Sequence, residues 1–284
     1  MRSCDEMMHT IFEVAASIEG VEAIAMNGSR ANLNARIDEF QDYDIVYFVK
    51  YEKMQELVEE RNWINAFGQR LLLQTPADFA EGPLDLNERF NFLMLFTDGN
   101  RIDLGICPVS KIEDWRKEDP VGIILYDPKA LLPDDLYTND EIYWQKQPTE
   151  KEFKNCCNEF WWVSTYVVKG ICRNELLYAE SHFRMICFQE YLKLLSWSIA
   201  DRFDYRINIG KSYKYLLEYL DEQERADILK LLNLSSLEKL SEALIILQRK
   251  FDSCAKESAE KNHFNYNREE AANSMNYTLS YLKR

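Results

Sequence analysis

Three features of the chain bring together residue types that manage phosphate and metal charge. Gly28-Ser29 follows an apolar run, "VEAIAM"; Asp42 and Asp44 stand two residues apart and lead into "IVYFV"; Asp103 interrupts a further apolar run in "RIDLGICPV". Side chains alternate along an extended chain, so Asp42 and Asp44 project from one face, close enough to share a divalent cation. Mg²⁺ suits such a pair, because it takes few carboxylates and completes its shell with water and substrate phosphates. Asp103 would add a third carboxylate from a neighbouring strand. Glycine lets phosphate oxygens approach the main chain, so the N–H groups around Gly28 and the Ser29 hydroxyl would hold a triphosphate. This set suits phosphoryl or nucleotidyl transfer, in which positioning and charge stabilisation carry the reaction. Singly, a Gly-Ser pair is usually only a turn, an Asp-x-Asp triplet a solvated strand end and Asp103 a strand-edge charge. The order of the pieces makes the combination specific: the turn follows a strand, the acid pair leads into one, and the third acid sits inside another.

The elements that must hold these residues are legible in the hydrophobic pattern. Met8, Ile11, Phe12, Ala15 and Ile18 recur at helical spacing, with Gly20 as the stop. "VEAIAM" predicts a strand ending at Gly28, and "IVYFV" a second. Residues 52 to 70 read as a helix with Leu57, Ile64, Phe67 and Leu71 on its buried side. "RFNFLMLFTDGNRIDLGICPV" reads as a hairpin turning at Asp98-Gly99, a pair suited to positive φ. On its second strand Ile102, Leu104 and Ile106 point one way, and Asp103 and Gly105 the other.

From about Pro148 the pattern becomes long and helical, opening on a capping box of Thr149 and Glu152. It predicts two or three helices up to Phe203, and further helices over 211–232, 236–260 and 266–283. The expected class is α+β: a mixed-sheet domain over residues 1–147 followed by a helical bundle over 148–284, with the boundary between 138 and 150.

Composition narrows the partners. The chain has 284 residues with 46% hydrophobic and 29% charged residues, an ordinary globular composition. A formal charge of −14 argues against a nucleic-acid backbone as the main partner, since neutralising phosphates needs clustered Lys and Arg. The first twenty residues carry acids and lack the apolar block of a signal peptide, and no stretch approaches the roughly 18 apolar residues of a membrane span. Seven scattered cysteines without a CxxC pair, beside three histidines, point to reduced thiols, a cytoplasmic location and no zinc site. Cys156 and Cys157 read as helix residues, one of them buried. The expected quaternary state is a monomer or weak homo-oligomer.

The spacing of strand, Gly-Ser, about a dozen residues, Asp-x-Asp and a later strand aspartate resembles the nucleotidyltransferase fold shared with DNA polymerase beta. "FQDYDIVYFV", "DGNRIDLGICPV", "CCNEFWWVSTYVVKGICRNELLYA" and "INIGKSYKYL" further resemble the bacterial aminoglycoside 6-adenylyltransferases, over essentially the full length. Asn27 departs from the general pattern, which often has an apolar residue before the glycine. The resemblance implies transfer of AMP from MgATP to the 6-hydroxyl of streptomycin, with pyrophosphate leaving. It implies that Asp42 and Asp44 hold the metals, that Asp103 helps to hold one and is a candidate base, and that Ser29 and Arg30 face the triphosphate. Glu88 is an alternative base.

The helical half supplies further candidates. Glu159, Trp162, Tyr166 and Lys169 share one face of the helix over 151–172. Aromatic residues there are more often bundle core than ligand platform, but a lysine and a glutamate on the same face weigh the other way. Lys211, at the start of a helix in "GKSYKYL", is the preferred contact to the β and γ phosphates, with Lys169 second and Tyr213 supporting the nucleotide; a solvated lysine is the plain alternative. The guanidinium groups of the drug call for carboxylate partners, and Glu159 and Glu175 are the candidates. A negative chain would attract such a polycation. Two other readings remain: a nucleotidyltransferase with a protein or RNA acceptor, and a catalytically silent nucleotide-binding protein, against which the presence of all three aspartates argues.

Overall fold

Alternating apolar residues in the first part of the chain build a six-stranded sheet with helices on both faces. The computed structural model describes residues 1–282, and the chain divides into two compact units, Met1–Ile142 and Tyr143–Arg284. In the first, α1 (Cys4–Ser17) starts at a capping box: Ser3 Oγ accepts from the Glu6 N–H, and the Glu6 carboxylate from the Ser3 N–H. It leads into β1 (Val21–Asn27), a one-turn helix α2 (Gly28–Ala31), β2 (Tyr43–Val49) and α3 (Tyr51–Glu59). Then come β3 (Arg70–Gln74), β4 (Phe90–Phe96), β5 (Arg101–Pro108), α4 (Ile112–Glu118) and β6 (Gly122–Tyr126).

The sheet order is β3-β4-β5-β2-β1-β6. Strands β2 and β5 run parallel, and the other neighbours antiparallel. One face carries Ile45, Tyr47, Ile102, Leu104 and Ile106 and packs on Met7, Ile11 and Val14 of α1 and Met54, Leu57 and Val58 of α3. The buried Tyr47 hydroxyl is satisfied by the Ile11 carbonyl at 2.5 Å. The opposite face carries Ala23, Ala25, Val46, Phe48 and Cys107 against Ile112 and Trp115 of α4. Asn27, Asp44 and Asp103 continue this second face, since they are even-numbered steps from Ala25, Val46 and Cys107 along their strands.

Two expectations in this unit need correction. The helix expected over 52–70 ends at Glu59; a 3₁₀ segment, Arg61–Phe67, follows, and Gly68 at φ 115° turns the chain into β3. Leu57, Ile64 and Phe67 are buried as expected, but Leu71 belongs to the edge strand and is 59% exposed. The hairpin at Asp98-Gly99 forms as expected, with Gly99 at φ 87°.

The second unit is helical: α5 (Glu150–Cys172), α6 (Leu176–His182), a π-helical turn over Phe183–Cys187, α7 (Phe188–Asp201), α8 (Glu222–Lys230), α9 (Leu237–Asn262) and α10 (Arg268–Leu282). The Thr149–Glu152 capping box starts α5. Phe160 stacks on Phe251 of α9 at 3.6 Å between centroids, and Trp161 meets both rings edge-on. Cys156 and Cys157 are both buried, where one was expected, and all seven cysteines are free thiols. The continuous helix expected over 211–232 does not form. Ser212 and Tyr213 adopt left-handed backbone, so the segment breaks into short 3₁₀ turns, and α8 starts afresh from a capping box of Asp221 and Glu224. The last helix was expected to reach residue 283, which lies outside the described residues. Among the described residues, no helix is long and apolar enough to cross a membrane.

Candidate active site

The acids converge because of strand register. Asp44 lies opposite Asp103 in the parallel pair β2–β5, and opposite Asn27 in the antiparallel pair β1–β2. Three adjacent strands thus present Asn27, Asp44 and Asp103 in one row. Asp42, two residues before Asp44, completes a cluster in which one oxygen from each of Asp42, Asp44 and Asp103 lies within 4.8 Å of the others. The neighbouring cleft, about 200 Å³, is lined by Asn27, Asp44, Asp103, Asp119, Arg89 and Asn91, among others.

Crowding of negative charge marks this point. Burial, then the charges of Asp42, Asp103 and Asp119, push the Asp44 carboxyl up to about 7, against the opposing pull of Arg101. Arg101 donates to both oxygens of Asp103, from Nε at 2.8 Å and Nη2 at 2.5 Å, and its Nε lies 3.6 Å from Asp42.

The Gly28-Ser29 turn is the start of α2. Gly28 has φ 70°, and a Cβ there would collide with Asp44 Oδ2, so glycine is required both by the backbone and by the carboxylate lying against it. Arg30 is committed to the acid-bearing loop: Nε donates to the Asp42 carbonyl at 3.1 Å, Nη2 to the Gln41 carbonyl at 2.9 Å, and the guanidinium stacks 3.9 Å from the Tyr43 ring centroid. Asn27 explains its own departure from the family pattern. Its amide donates to the Asp119 and Val121 carbonyls and accepts from the Trp115 indole at 2.8 Å, tying the end of β1 to the segment after α4. Glu88 is exposed, pairs with Lys111 at 2.7 Å and does not line the cleft.

In the helical unit, Trp162 is 62% exposed, so it is not bundle core. Its indole N–H donates to the Tyr166 hydroxyl at 2.8 Å, and Lys169 Nζ lies 5.5 Å from the Tyr166 ring centroid. Glu159 is exposed on the same helix, and Glu175 is exposed just before α6. Lys211 is exposed on a three-residue 3₁₀ turn rather than at a helix start, and Tyr213 packs half-buried against the helical core.

Arg101, Arg89, Asn91 and Asp119 escaped the sequence reading. Alternation alone places Arg101 on the face of Asp103, two residues on. Asn91 needs the β4–β5 register, which sets it opposite Gly105, and Asp119 and Arg89 reach the cleft only through tertiary packing.

Comparison with known proteins adds to this geometry. The family model described as streptomycin adenylyltransferase matches residues 1–281. The aminoglycoside 6-adenylyltransferase of Bacillus subtilis (strain 168) is 35% identical over 94% of this chain and 93% of its own length. That of Staphylococcus aureus is 37% identical over 79% of each chain, and that of Campylobacter jejuni 35% identical over 78% of this chain and 76% of its own. A crystal structure of an aminoglycoside 6-adenyltransferase from Bacillus subtilis aligns with 99% of this chain and 98% of its own at 31% identity, with a TM-score of 0.48.

Proposed function

This chain belongs to the streptomycin adenylyltransferase family, and from that premise we propose that it transfers AMP from MgATP to the 6-hydroxyl of streptomycin, releasing pyrophosphate and inactivating the drug. It is a nucleotidyltransferase; the nucleotide, metal and acceptor are our reading. The observation that carries it is the convergence of Asp42, Asp44 and Asp103 on one point of the sheet.

The residues present fit a divalent cation. Three carboxylate oxygens lie mutually close, their charge is offset only in part by Arg101, and burial together with the neighbouring acids drives Asp44 up to about 7. Hard oxygen ligands of this number are what Mg²⁺ takes while keeping positions for water and phosphate. Asp42, Asp44 and Asp103 would hold it, and when bound it supplies charge neutralisation at the phosphates during transfer.

In the reaction, the acceptor hydroxyl oxygen forms a bond to the α-phosphorus as the bond from that phosphorus to pyrophosphate breaks. The hydroxyl proton passes to a carboxylate. Of the two candidates, Asp103 lines the cleft and Glu88 does not. Ser29 and the N–H groups beside Gly28 contact the triphosphate, while Arg30 holds the Asp42 segment in place through its two carbonyl contacts. Lys211, Lys169 and Tyr213 are assigned to the nucleotide; Trp162 and Tyr166 offer an aromatic surface to the acceptor, and Glu159 and Glu175 carboxylates to its guanidinium groups. The charge of −14 favours approach of a polycation.

The test is incubation of the purified protein with Mg²⁺, ATP and either streptomycin or kanamycin, following pyrophosphate release and drug mass. A streptomycin adduct heavier by one AMP is the expected product. Absence of turnover with every aminoglycoside offered would sink the assignment.

A further inference from the structure

Arg101 and Asp103 sit two residues apart on β5, so both side chains leave the same face of the sheet. The guanidinium takes both Asp103 oxygens in a fork and reaches toward Asp42, two of the three carboxylates of the cluster. The backbone beneath is pinned. Asp98, in the hairpin turn, accepts from Arg2 N–H at 3.1 Å, from Arg2 Nε at 2.7 Å and from the Asn100 N–H at 3.1 Å.

Among the described residues the guanidinium is held by the carboxylates alone and opens to solvent: the Arg101 side chain is 48% exposed. An ion pair with one partner this open to solvent contributes little to folding, so breaking it costs the fold little. Breaking it matters more for whatever else needs those oxygens. A carboxylate in a bidentate fork with arginine has its best acceptor positions taken, and a cation approaching the cluster meets a resident positive charge.

From this arrangement we infer that Arg101 is a built-in counter-ion of the acid cluster, which competes with the divalent cation for Asp103 and Asp42 and gives them up when the cation binds. The inference rests on reading the cluster as a cation site. Arg101 acts here through the carboxylates it occupies, as a positioning residue. Its release leaves five N–H donors tethered two residues from Asp103, which lines the cleft, and free to meet anionic groups of a substrate.

The experiment is titration of the nucleotide-free protein with Mn²⁺, following free Mn²⁺ by electron paramagnetic resonance, for the parent, Arg101→Gln and Arg101→Lys. Removing the competing charge should tighten Mn²⁺ binding on the order of three- to tenfold in Arg101→Gln, with Arg101→Lys between it and the parent. Equal or weaker binding in Arg101→Gln, beside a parent that binds, would leave the cation site standing and overturn the counter-ion role. Absence of Mn²⁺ binding in both would overturn the cation site and the inference together. Should Arg101→Gln fail to fold, the Arg101 Nε–H resonance of the ¹⁵N-labelled parent gives the answer. A shift that saturates with added Mg²⁺ is expected, and a resonance unmoved by Mg²⁺ would refute the exchange.

Discussion

The Asp44 carboxylate lies against the α-carbon of Gly28, so close that any side chain at 28 would overlap Asp44 Oδ2. The residue read as a phosphate turn therefore also makes room for the central acid. Gly28→Ala combines that clash with a φ of 70° that L-residues rarely adopt. A displacement near 1 Å at a reacting centre costs about 10²-fold in rate, so turnover should fall at least that far. Backbone strain should lower stability by about 1–3 kcal/mol. Steady-state kinetics together with thermal unfolding check both; a variant with parental kcat would show that Asp44 does not have to sit where it does.

Asp44 gives a pH prediction. An ordinary Asp carboxyl titrates near ~3.9, whereas in the folded chain burial and the neighbouring acids raise Asp44 to about 7. Between those values the folded state binds more protons than the unfolded state, so this group's contribution to stability falls as pH rises from about 4 to about 7 and is not regained above that. A cation binds the deprotonated form and opposes the repulsion. Mg²⁺ should therefore raise Tm more at about pH 8 than at about pH 5.5. By the same reasoning, metal-free Asp44→Asn should be more stable than the parent at pH 8, on the order of 1 kcal/mol or more, while catalysing no AMP transfer. Thermal unfolding at both pH values reads the first effect; a stability loss in Asp44→Asn would contradict the second.

Asn27 is a structural tie beside the acids. Asn27→Ala removes one acceptor and two donor contacts in a buried setting, taking the acceptor from the Trp115 indole and one donor from each of two carbonyls. The expected cost is about 2–4 kcal/mol. Chemical denaturation measures it, and a change below roughly 0.5 kcal/mol would mean that water replaces these bonds without loss.

The proposed roles of Trp162 at the acceptor and Lys211 at the nucleotide can be tested separately. Both side chains are exposed, so truncation should move stability by less than roughly 0.5 kcal/mol. Trp162→Ala should raise KM for streptomycin about tenfold with KM for ATP unchanged, and Lys211→Ala should do the reverse. Kinetics with each substrate varied in turn decide between them; an exchange of the two patterns would reassign both residues.

Much of the candidate site was legible because it is written in local rules. Alternation placed Asp103 opposite the apolar set of β5, and the capping box at Thr149 marked the start of α5. Reading failed where a pattern had two physical solutions. The apolar positions of 52–70 suit one long helix, but Gly68 and the three leucines after it form a turn and an edge strand. Those of 211–232 are buried by short turns, and the signal that α8 begins separately, Asp221 with Glu224, was present in the sequence.

By itself, the sequence determined which residues carry charge, which faces are apolar and where strands meet turns, because these follow from side-chain chemistry and the period of the backbone. It could pair Asp42 with Asp44, which are two residues apart. Tertiary structure alone decided that Asp44 lies opposite Asp103 and beneath Gly28, and that Arg101 occupies two of the acids. Strand order and register are set by burial of the whole sheet, a property of all its strands at once, and no local pattern encodes it.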